Sequence, residues 1–332
     1  MPFPHLPTGA AYLRLQNPAR RNALSLSILR SLRQQLVDFN TSPSGKLHIL
    51  PPFKPEILSK LEAGDEEYAW LLDAEVWNRE RQGLPKVLVL RSEGLVFCSG
   101  HDLGELRTLG HDETKETFAL CAEVMGLIRR SPAPVIGVIQ GRPTARRKSR
   151  AMNISILRYT GLATAAGCQL ALTTDFPIAL ASTPFRLPGA SIGLPCTSPS
   201  TAVSRRLHPG QAYRMLAMAE PVRADQLNGA VDVVSEPKLD APLEVHQAAL
   251  EARVAQVVDQ LAGKTAGQPA ALGKWAFWTH VGLQGAGTES GGDGYEDAVK
   301  WTGRVMAVHA RAGDAEEGIN AFFEKRKPEW KT

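Results

Sequence analysis

The chain predicts an α/β fold, and three observations predict it. Apolar runs of strand length, such as Val87-Leu88-Val89-Leu90 and Val135-Ile136-Gly137-Val138-Ile139, alternate with longer stretches whose apolar residues recur at three- and four-residue steps. Clusters of Gly, Pro, Asn and Ser separate the two kinds of segment. With 332 residues, 43% hydrophobic and 22% charged, there is apolar material for one large core or two modest ones. That composition excludes a disordered chain, a collagen and a coiled coil. No run approaches the roughly 18 uninterrupted apolar residues that a bilayer crossing needs, so no membrane span is expected.

In order, a strand over Ala11–Leu15 reaches a turn at Asn17-Pro18, and Leu26, Leu29, Leu32, Leu36 and Phe39 then line one face of a helix. Ser25 is its expected N-cap, and the turn chemistry of residues 40–45 stops it. Residues 41–85 form a Pro-flanked insertion with a helix expected over Glu66–Arg79, in which Trp70 and Trp77 are read as packing residues. Val87–Arg91 is a buried strand, Thr114–Arg130 a helix, Val135–Ile139 and Ile178–Ala181 further strands. Leu243–Leu261, Tyr295–Ala312 and Glu316–Lys325 read as helices, so the last third is mainly helical.

Charge and cysteine usage narrow the function. The net charge is +4, yet residues 142–161 hold six cations (Arg142, Arg146, Arg147, Lys148, Arg150, Arg158) and no acid, and taking those six away leaves −2. A basic nucleic-acid face spread over a domain is not supported. Cys98, Cys121, Cys168 and Cys196 contain no CxxC pair, so free thiols in a reducing compartment are expected and a zinc site is not. The Gly-rich run Gly282–Gly294 lacks the Gly-Lys-Ser/Thr ending of a P-loop and reads as a connection.

Two turns carry the chemistry. Gly100-His101 and Ala165-Ala166-Gly167 each place a backbone N–H where small neighbours leave room for a ligand oxygen. Two such donors from separate turns make an oxyanion hole.

The segments Asn17-Pro-Ala-Arg-Arg-Asn-Ala-Leu24, Phe97-Cys-Ser-Gly-His-Asp-Leu103 and Leu162-Ala-Thr-Ala-Ala-Gly-Cys-Gln-Leu170, in that order, resemble three signatures of the enoyl-CoA hydratase/isomerase (crotonase) superfamily. Residues 314–328 resemble its C-terminal signature, and the Ala-Thr-Ala-Ala-Gly-Cys-Gln run is similar to that of the enoyl-CoA hydratase domain-containing protein 3 group. The resemblance covers nearly all the chain outside two insertions. It implies a crotonase-like spiral of β-β-α units over residues 1–240, with insertions at 41–85 and 142–161, and a helical C-terminal trimerisation region over 241–332. It also implies acyl-CoA substrates, coenzyme A being part of the substrate rather than a separate cofactor, and a homotrimer or hexamer. Relatives in this group are associated with mitochondria; no transit peptide is visible, which leaves a cytoplasmic placement as the alternative.

Carried over by position, the backbone N–H groups of His101 and Ala166 match the two oxyanion donors. Gly100 and Gly167 shape the turns, and His101–Gly104, with Asp102 and Leu103, matches the segment that wraps the acyl-CoA. Asp102 suits loop bracing better than catalysis. Arg21 matches a basic position near the CoA phosphates, and Lys325-Arg326-Lys327 is a basic cluster that reads as solvated charge or as a second phosphate contact. The hydratase glutamates are both missing: Gln169 and Gly189 occupy their positions. General acid–base groups each contribute about 10² to 10⁴ in rate, so ordinary water addition is expected to be crippled. What remains is polarisation of a thioester carbonyl, suited to decarboxylation of a malonyl-type thioester or to isomerisation.

Three other readings stay open. Glu105 is either a solvated surface carboxylate or a base turned inward. His101 either packs over the CoA moiety or carries a proton. Cys98 and Cys196 are either buried structural thiols or nucleophiles of a hydrolase. A non-catalytic acyl-CoA binder is the alternative to an enzyme. Deleting Arg142–Gly161 restores the family pattern without a gap, since Gly141 then precedes Leu162. The segment is therefore expected to be an intron retained in frame, with a regulatory loop as the alternative.

Overall fold

A computed structural model describes residues 3–52, 54, 56–140, 142–143, 147–148, 155–156, 159–160, 162–192, 194–227, 229–237, 241–282, 314, 317, 320–321 and 324–332. They fall into two compact units: Met1–Leu36 with Val87–Ile128 and Val135–Asp259, and Val37–Lys86 with Arg129–Pro134 and Gln260–Thr332.

The strands of the first unit are β1 (Ala10–Leu15), β2 (Val87–Ser92), β3 (Val135–Ile139), β4 (Ala163–Thr164), β5 (Phe176–Leu180), β6 (Pro184–Arg186), β7 (Val222–Arg223) and β8 (Asp232–Val234). Five form one parallel sheet in the order β1-β2-β3-β5-β8, with Tyr12 opposite Val89, Val89 opposite Ile136, and Val138 opposite Ile178. Every residue of β2 and β3 is buried, as interior strands covered on both faces require. The other three strands form a small sheet, β7-β6-β4, in which β4 and β6 run parallel.

The helices of this unit are α1 (Leu26–Asp38), α2 (Leu103–Leu106), α3 (His111–Arg130), α4 (Ala166–Thr173), α5 (Thr197–Ser204), α6 (Pro209–Met218) and α7 (Leu243–Gly263), of which α1, α3 and α7 run past its limits. Leu29, Leu32 and Leu36 are the buried face of α1, as their spacing predicts. Its cap is double: Ser25 Oγ accepts from Ile28 N–H at 3.3 Å, and Glu105 Oε2 accepts from Leu26 N–H at 2.9 Å. Helices α5 and α6 appear only in the structure, although Ala212 and Met215, the buried residues of α6, keep helical spacing.

The second unit has its own apolar centre. Leu50, Leu58, Leu61, Tyr68, Trp70, Leu71 and Trp77 of the insertion bury themselves with Ala271, Leu272 and Trp275 of the helix Gly267–Gly282. Trp70 and Trp77 are stacked, centroids 5.9 Å apart at 12°, so their reading as packing residues stands. The compact units thus divide the chain differently from a boundary at residue 240. The insertion is too small to bury its leucines and tryptophans alone, and it takes its partners from the C-terminal segment. The helix expected over Glu66–Arg79 is broken into a 3₁₀ turn Glu66–Tyr68 and helices Ala69–Leu72 and Ala74–Glu80. Asp73 breaks it, because its Oδ1 accepts from the N–H groups of Glu75 and Val76 (2.8 and 3.0 Å) and caps a new start. Helix Ile57–Ala63 was not legible in the sequence. The helix expected over 295–312 and all but the first residue of the run 282–294 lie outside the described residues.

In the basic segment, Arg142–Pro143 pairs antiparallel with Tyr159–Thr160, and Arg147–Lys148 pairs antiparallel with Ser155–Ile156, as two separate two-stranded sheets among the described residues. Arg142 stands opposite Thr160, so the two ends of the segment are one strand spacing apart, about 5 Å. Arg142 and Thr160, near the two ends of the segment, are thus already neighbours, which favours closure when residues 142–161 are deleted. The deletion variant is expected to fold with a urea midpoint close to that of the full chain, and a variant recovered only as aggregate would show that the segment is structurally required.

Candidate active site

The segment Cys98–Asp102 sits between two partners. On one edge Ser99 N–H donates to Arg21 O (3.1 Å), Leu24 N–H to Gly100 O (2.8 Å) and Asp102 N–H to Leu24 O (3.3 Å). On the other, Cys98 N–H donates to Leu162 O (3.2 Å) and Thr164 N–H to Cys98 O (3.1 Å). Leu24 and His101 form a parallel bridge, in which Leu24 uses the groups flanking His101. The His101 N–H is therefore turned to the opposite edge, the side of residues 162–166.

The second turn meets it there. A Cβ placed on Gly100 would lie 2.8 Å from Ala165 Cβ and 3.4 Å from Ala166 N, and Gly100 holds φ at +91°. Gly167 packs directly on Cys98: a Cβ there would lie 2.3 Å from Cys98 O. Only glycine allows either approach. Ala165 is held at φ 51°, ψ −123°, a conformation that costs an alanine about 1–3 kcal/mol and that re-aims the chain into α4. Ala166 is the first residue of α4, whose opening N–H groups have no partner within the helix. Among the described residues, neither His101 N–H nor Ala166 N–H has an acceptor. Two unengaged main-chain donors on touching turns suit an oxygen on which negative charge develops.

In front of them is a cavity of about 150 Å³ lined by His101, Leu103, Leu106, Phe118, Ala165, Gly189, Leu194, Cys196 and Ser198, among others. Its walls are mainly apolar. The His101 ring packs edge-on against Phe118 (4.8 Å), and burial pushes its pKa down to about 4, so the imidazole is neutral near pH 7. Its Nε2 is buried with no hydrogen-bond partner among the described residues. Phe118 and Ser198 were missed in the sequence, where nothing local ties either to the two turns.

The remaining positions divide into supports and the two, Gln169 and Gly189, that the resemblance matches to the hydratase acids. Asp102 caps α2, its Oδ1 accepting from Gly104 N–H (3.0 Å) and Glu105 N–H (3.1 Å) and lying 3.4 Å from Arg20 Nη1. Arg21 is exposed at φ 54° and meets the loop through its carbonyl, while its neighbour Arg20 reaches Asp102 with its side chain. Glu105 is neither a solvated carboxylate nor an inward base, because it caps α1. The Gln169 amide lies between Ser198 Oγ (3.4 Å) and Thr201 Oγ1 (3.5 Å) of α5. At Gly189 a Cβ would lie 1.9 Å from Leu194 O, so the loop is folded over the direction a side chain would take. Burial pushes the Cys98 thiol up to about 12 and raises that of Cys196, which accepts from Gly189 N–H at 3.2 Å; both are poor nucleophiles. Arg326 of the tail cluster is paired with Glu317 (2.5 Å) and Glu324 (2.5 Å), which accounts for its charge within the chain. Among the described residues no group of three or more His, Cys, Asp or Glu is placed to hold a metal ion, and no helix is long and apolar enough to cross a membrane.

No family model matches the chain. It is 31% identical to mouse (Mus musculus) "Enoyl-CoA hydratase domain-containing protein 3, mitochondrial" over 97% of this chain and 81% of that protein. The chain belongs to the enoyl-CoA hydratase family. The crystal structure of human enoyl coenzyme A hydratase domain-containing protein 3 is similar over 98% of both chains, with 28% identity and a TM-score of 0.67. An enoyl-CoA hydratase structure from Mycobacterium smegmatis is similar over 98% of this chain and 96% of that one, at 28% identity and a TM-score of 0.65. The fold is therefore crotonase-like, as the resemblance implied, and the family acts on acyl-CoA substrates.

Proposed function

We propose that the chain is an acyl-CoA thioester enzyme of fatty-acid metabolism that works by carbonyl polarisation alone, with the N–H groups of His101 and Ala166 as an oxyanion hole. The thioester oxygen sits between the two donors, the acyl chain runs into the cavity beside Leu103, Leu106 and Phe118, and Gly104 keeps the loop open for the CoA moiety. Enolate stabilisation lowers the barrier; water addition, which needs a base and an acid, is not the reaction. Decarboxylation of a malonyl-type thioester fits best: the C–C bond breaks, CO2 leaves, the electron pair becomes the enolate held by the two donors, and solvent water returns one proton to carbon, which makes the enzyme a lyase; an isomerase would need water to carry the proton from one carbon to the other. The observation that carries this reading is the contact between the Gly100 and Ala165–Ala166 turns with both donors unengaged. In this reading the protein is mitochondrial and a homotrimer or hexamer, with Arg21 near the CoA phosphates. The vacated positions at Gln169 and Gly189 favour a second reading, a non-catalytic acyl-CoA binder.

Turnover of enoyl-, malonyl- and saturated acyl-CoAs, measured beside a binding titration, separates the two readings. Turnover of one class is expected. Ala166→Pro removes one donor and is expected to lose about 10² to 10³ in rate; a following proline disfavours the φ of 51° at Ala165, so the variant's urea midpoint is measured beside the rate, and retained activity is the decisive outcome against the donor. The wild-type rate is also expected to be flat between pH 5 and 8, because His101 stays neutral above about 4 and Gln169 does not titrate. Tight binding without turnover of any class would overturn the enzyme reading, and a bell-shaped profile in that window would overturn catalysis by carbonyl polarisation alone.

A further inference from the structure

The second unit holds a cavity of about 310 Å³ whose charged side chains are Arg81, Lys86 and Lys331, with no acidic side chain among its lining residues; Thr332 also lines it, and its main-chain oxygen is taken by Lys86. Arg81 is 8% exposed, and its hydrogen bonds go to neutral acceptors: Nη1 donates to Asn40 Oδ1 at 3.3 Å and Nη2 to Pro85 O at 2.9 Å. Its guanidinium lies 5.8 Å from the centre of the Trp77 ring. Among the described residues no carboxylate pairs with it. The acids nearby in sequence or in the tail are engaged elsewhere. Glu80 accepts from Ser44 (2.9 Å), His48 (3.1 Å) and Arg79 (3.2 Å), and Asp314 from the N–H groups of Lys331 (2.6 Å) and Thr332 (3.0 Å). Lys86 Nζ donates to Thr332 O at 3.0 Å.

A guanidinium carries five N–H donors, of which these contacts use two. Burial pushes the pKa of Arg81 down to about 10, which still leaves it charged at neutral pH. A buried cation facing only neutral dipoles is an expensive arrangement that a counter-charge relieves. The rest of the lining, with Trp77, Leu84, Leu261 and Trp330, is apolar, and the volume is at the small end of ligand cavities, which run from about 300 Å³.

We infer that this cavity binds a small organic anion, its carboxylate or phosphate group on Arg81 and a short apolar body against Trp77 and Leu261. The site is made by the second unit alone and does not depend on the acyl-CoA reading of the first.

Thermal and urea unfolding of the full chain at constant ionic strength, with hexanoate, inorganic phosphate or chloride added, tests the site. Hexanoate or phosphate is expected to raise the folding equilibrium constant about tenfold at ten times its dissociation constant. A response to hexanoate alone marks a carboxylate site, and one to phosphate alone a phosphate site. Arg81→Met removes the charge at similar volume and is expected to abolish the response while leaving the unliganded chain at least as stable. Lys331→Glu, at an exposed position, is expected to weaken binding at least tenfold, and it decides the matter should Arg81→Met fail to fold. Chloride-like behaviour of both probes with the wild type, or an equal response in the variants, overturns the inference.

Discussion

Gly167→Ala is expected to cost about 3 kcal/mol of stability and to abolish turnover. The added Cβ would lie 2.3 Å from Cys98 O and 2.7 Å from Cys98 Cβ, and neither atom is the far end of a flexible side chain. Cys98 has little freedom to retreat, since its N–H and C=O are bonded to Leu162 and Thr164. Relief must come from displacing the first turn of α4 or the strand before Gly100, and each carries one of the two donors. Overpacking a rigid contact costs about 1–3 kcal/mol, occasionally more, and a main-chain overlap belongs at the upper end. Gly126→Ala supplies the opposite sign. Gly126 lies inside α3 with nothing within 4 Å of its would-be Cβ, so alanine there is expected to stabilise by up to about 1 kcal/mol. Urea midpoints of the two variants, with turnover measured on each, check the pair. A Gly167→Ala chain as stable and active as the wild type would show that this contact does not set the turn.

That contact marks the limit of what the sequence discloses. The strands around it were legible because a fully buried parallel strand is an uninterrupted apolar run, as in Val87–Leu90 and Val135–Ile139, and α1 was legible because its leucines keep helical spacing. Gly100 and Gly167 were legible as turn glycines, but each is required by the other's turn, more than sixty residues away. Glu105 was misread for the same reason. Its partner is Leu26 N–H, and no local pattern announces a carboxylate that caps a helix 79 positions earlier. The aromatic residues of the insertion gave the right role without the partner, because Trp275 is nearly 200 residues from Trp77 in sequence and meets it only in the folded unit.

The largest contrast is expected on placing carboxylates at the two positions that the resemblance matches to the hydratase glutamates. Gln169→Glu is expected to fold, since a carboxylate in place of the amide keeps the Ser198 hydroxyl as a donor (3.5 Å to Oε1), while Thr201, whose proton goes to Ser198 O at 2.7 Å, must turn to join it. Gly189→Glu is not. Its Cβ would sit 1.9 Å from Leu194 O and 2.8 Å from both Cys196 N and Cys196 Sγ, so two of the three obstacles are main chain and trimming the thiol does not clear them. The loop is held in that shape by its own bonds: Leu194 N–H donates to Gly189 O at 2.9 Å and Gly189 N–H to Cys196 Sγ. The single variant at 189 is expected to lose about 3 kcal/mol or more, and the double variant is expected to remain without hydration activity. A working acid–base pair would instead return about 10² to 10⁴ in rate for each carboxylate. Hydration of crotonyl-CoA by the double variant, followed beside its unfolding curve, distinguishes the cases. A gain of 10² or more in a well-folded chain would mean that the loop opens readily and that only side chains were lost. No gain would mean that the main chain itself has closed the position, so that a return to hydration would require rebuilding residues 189–196.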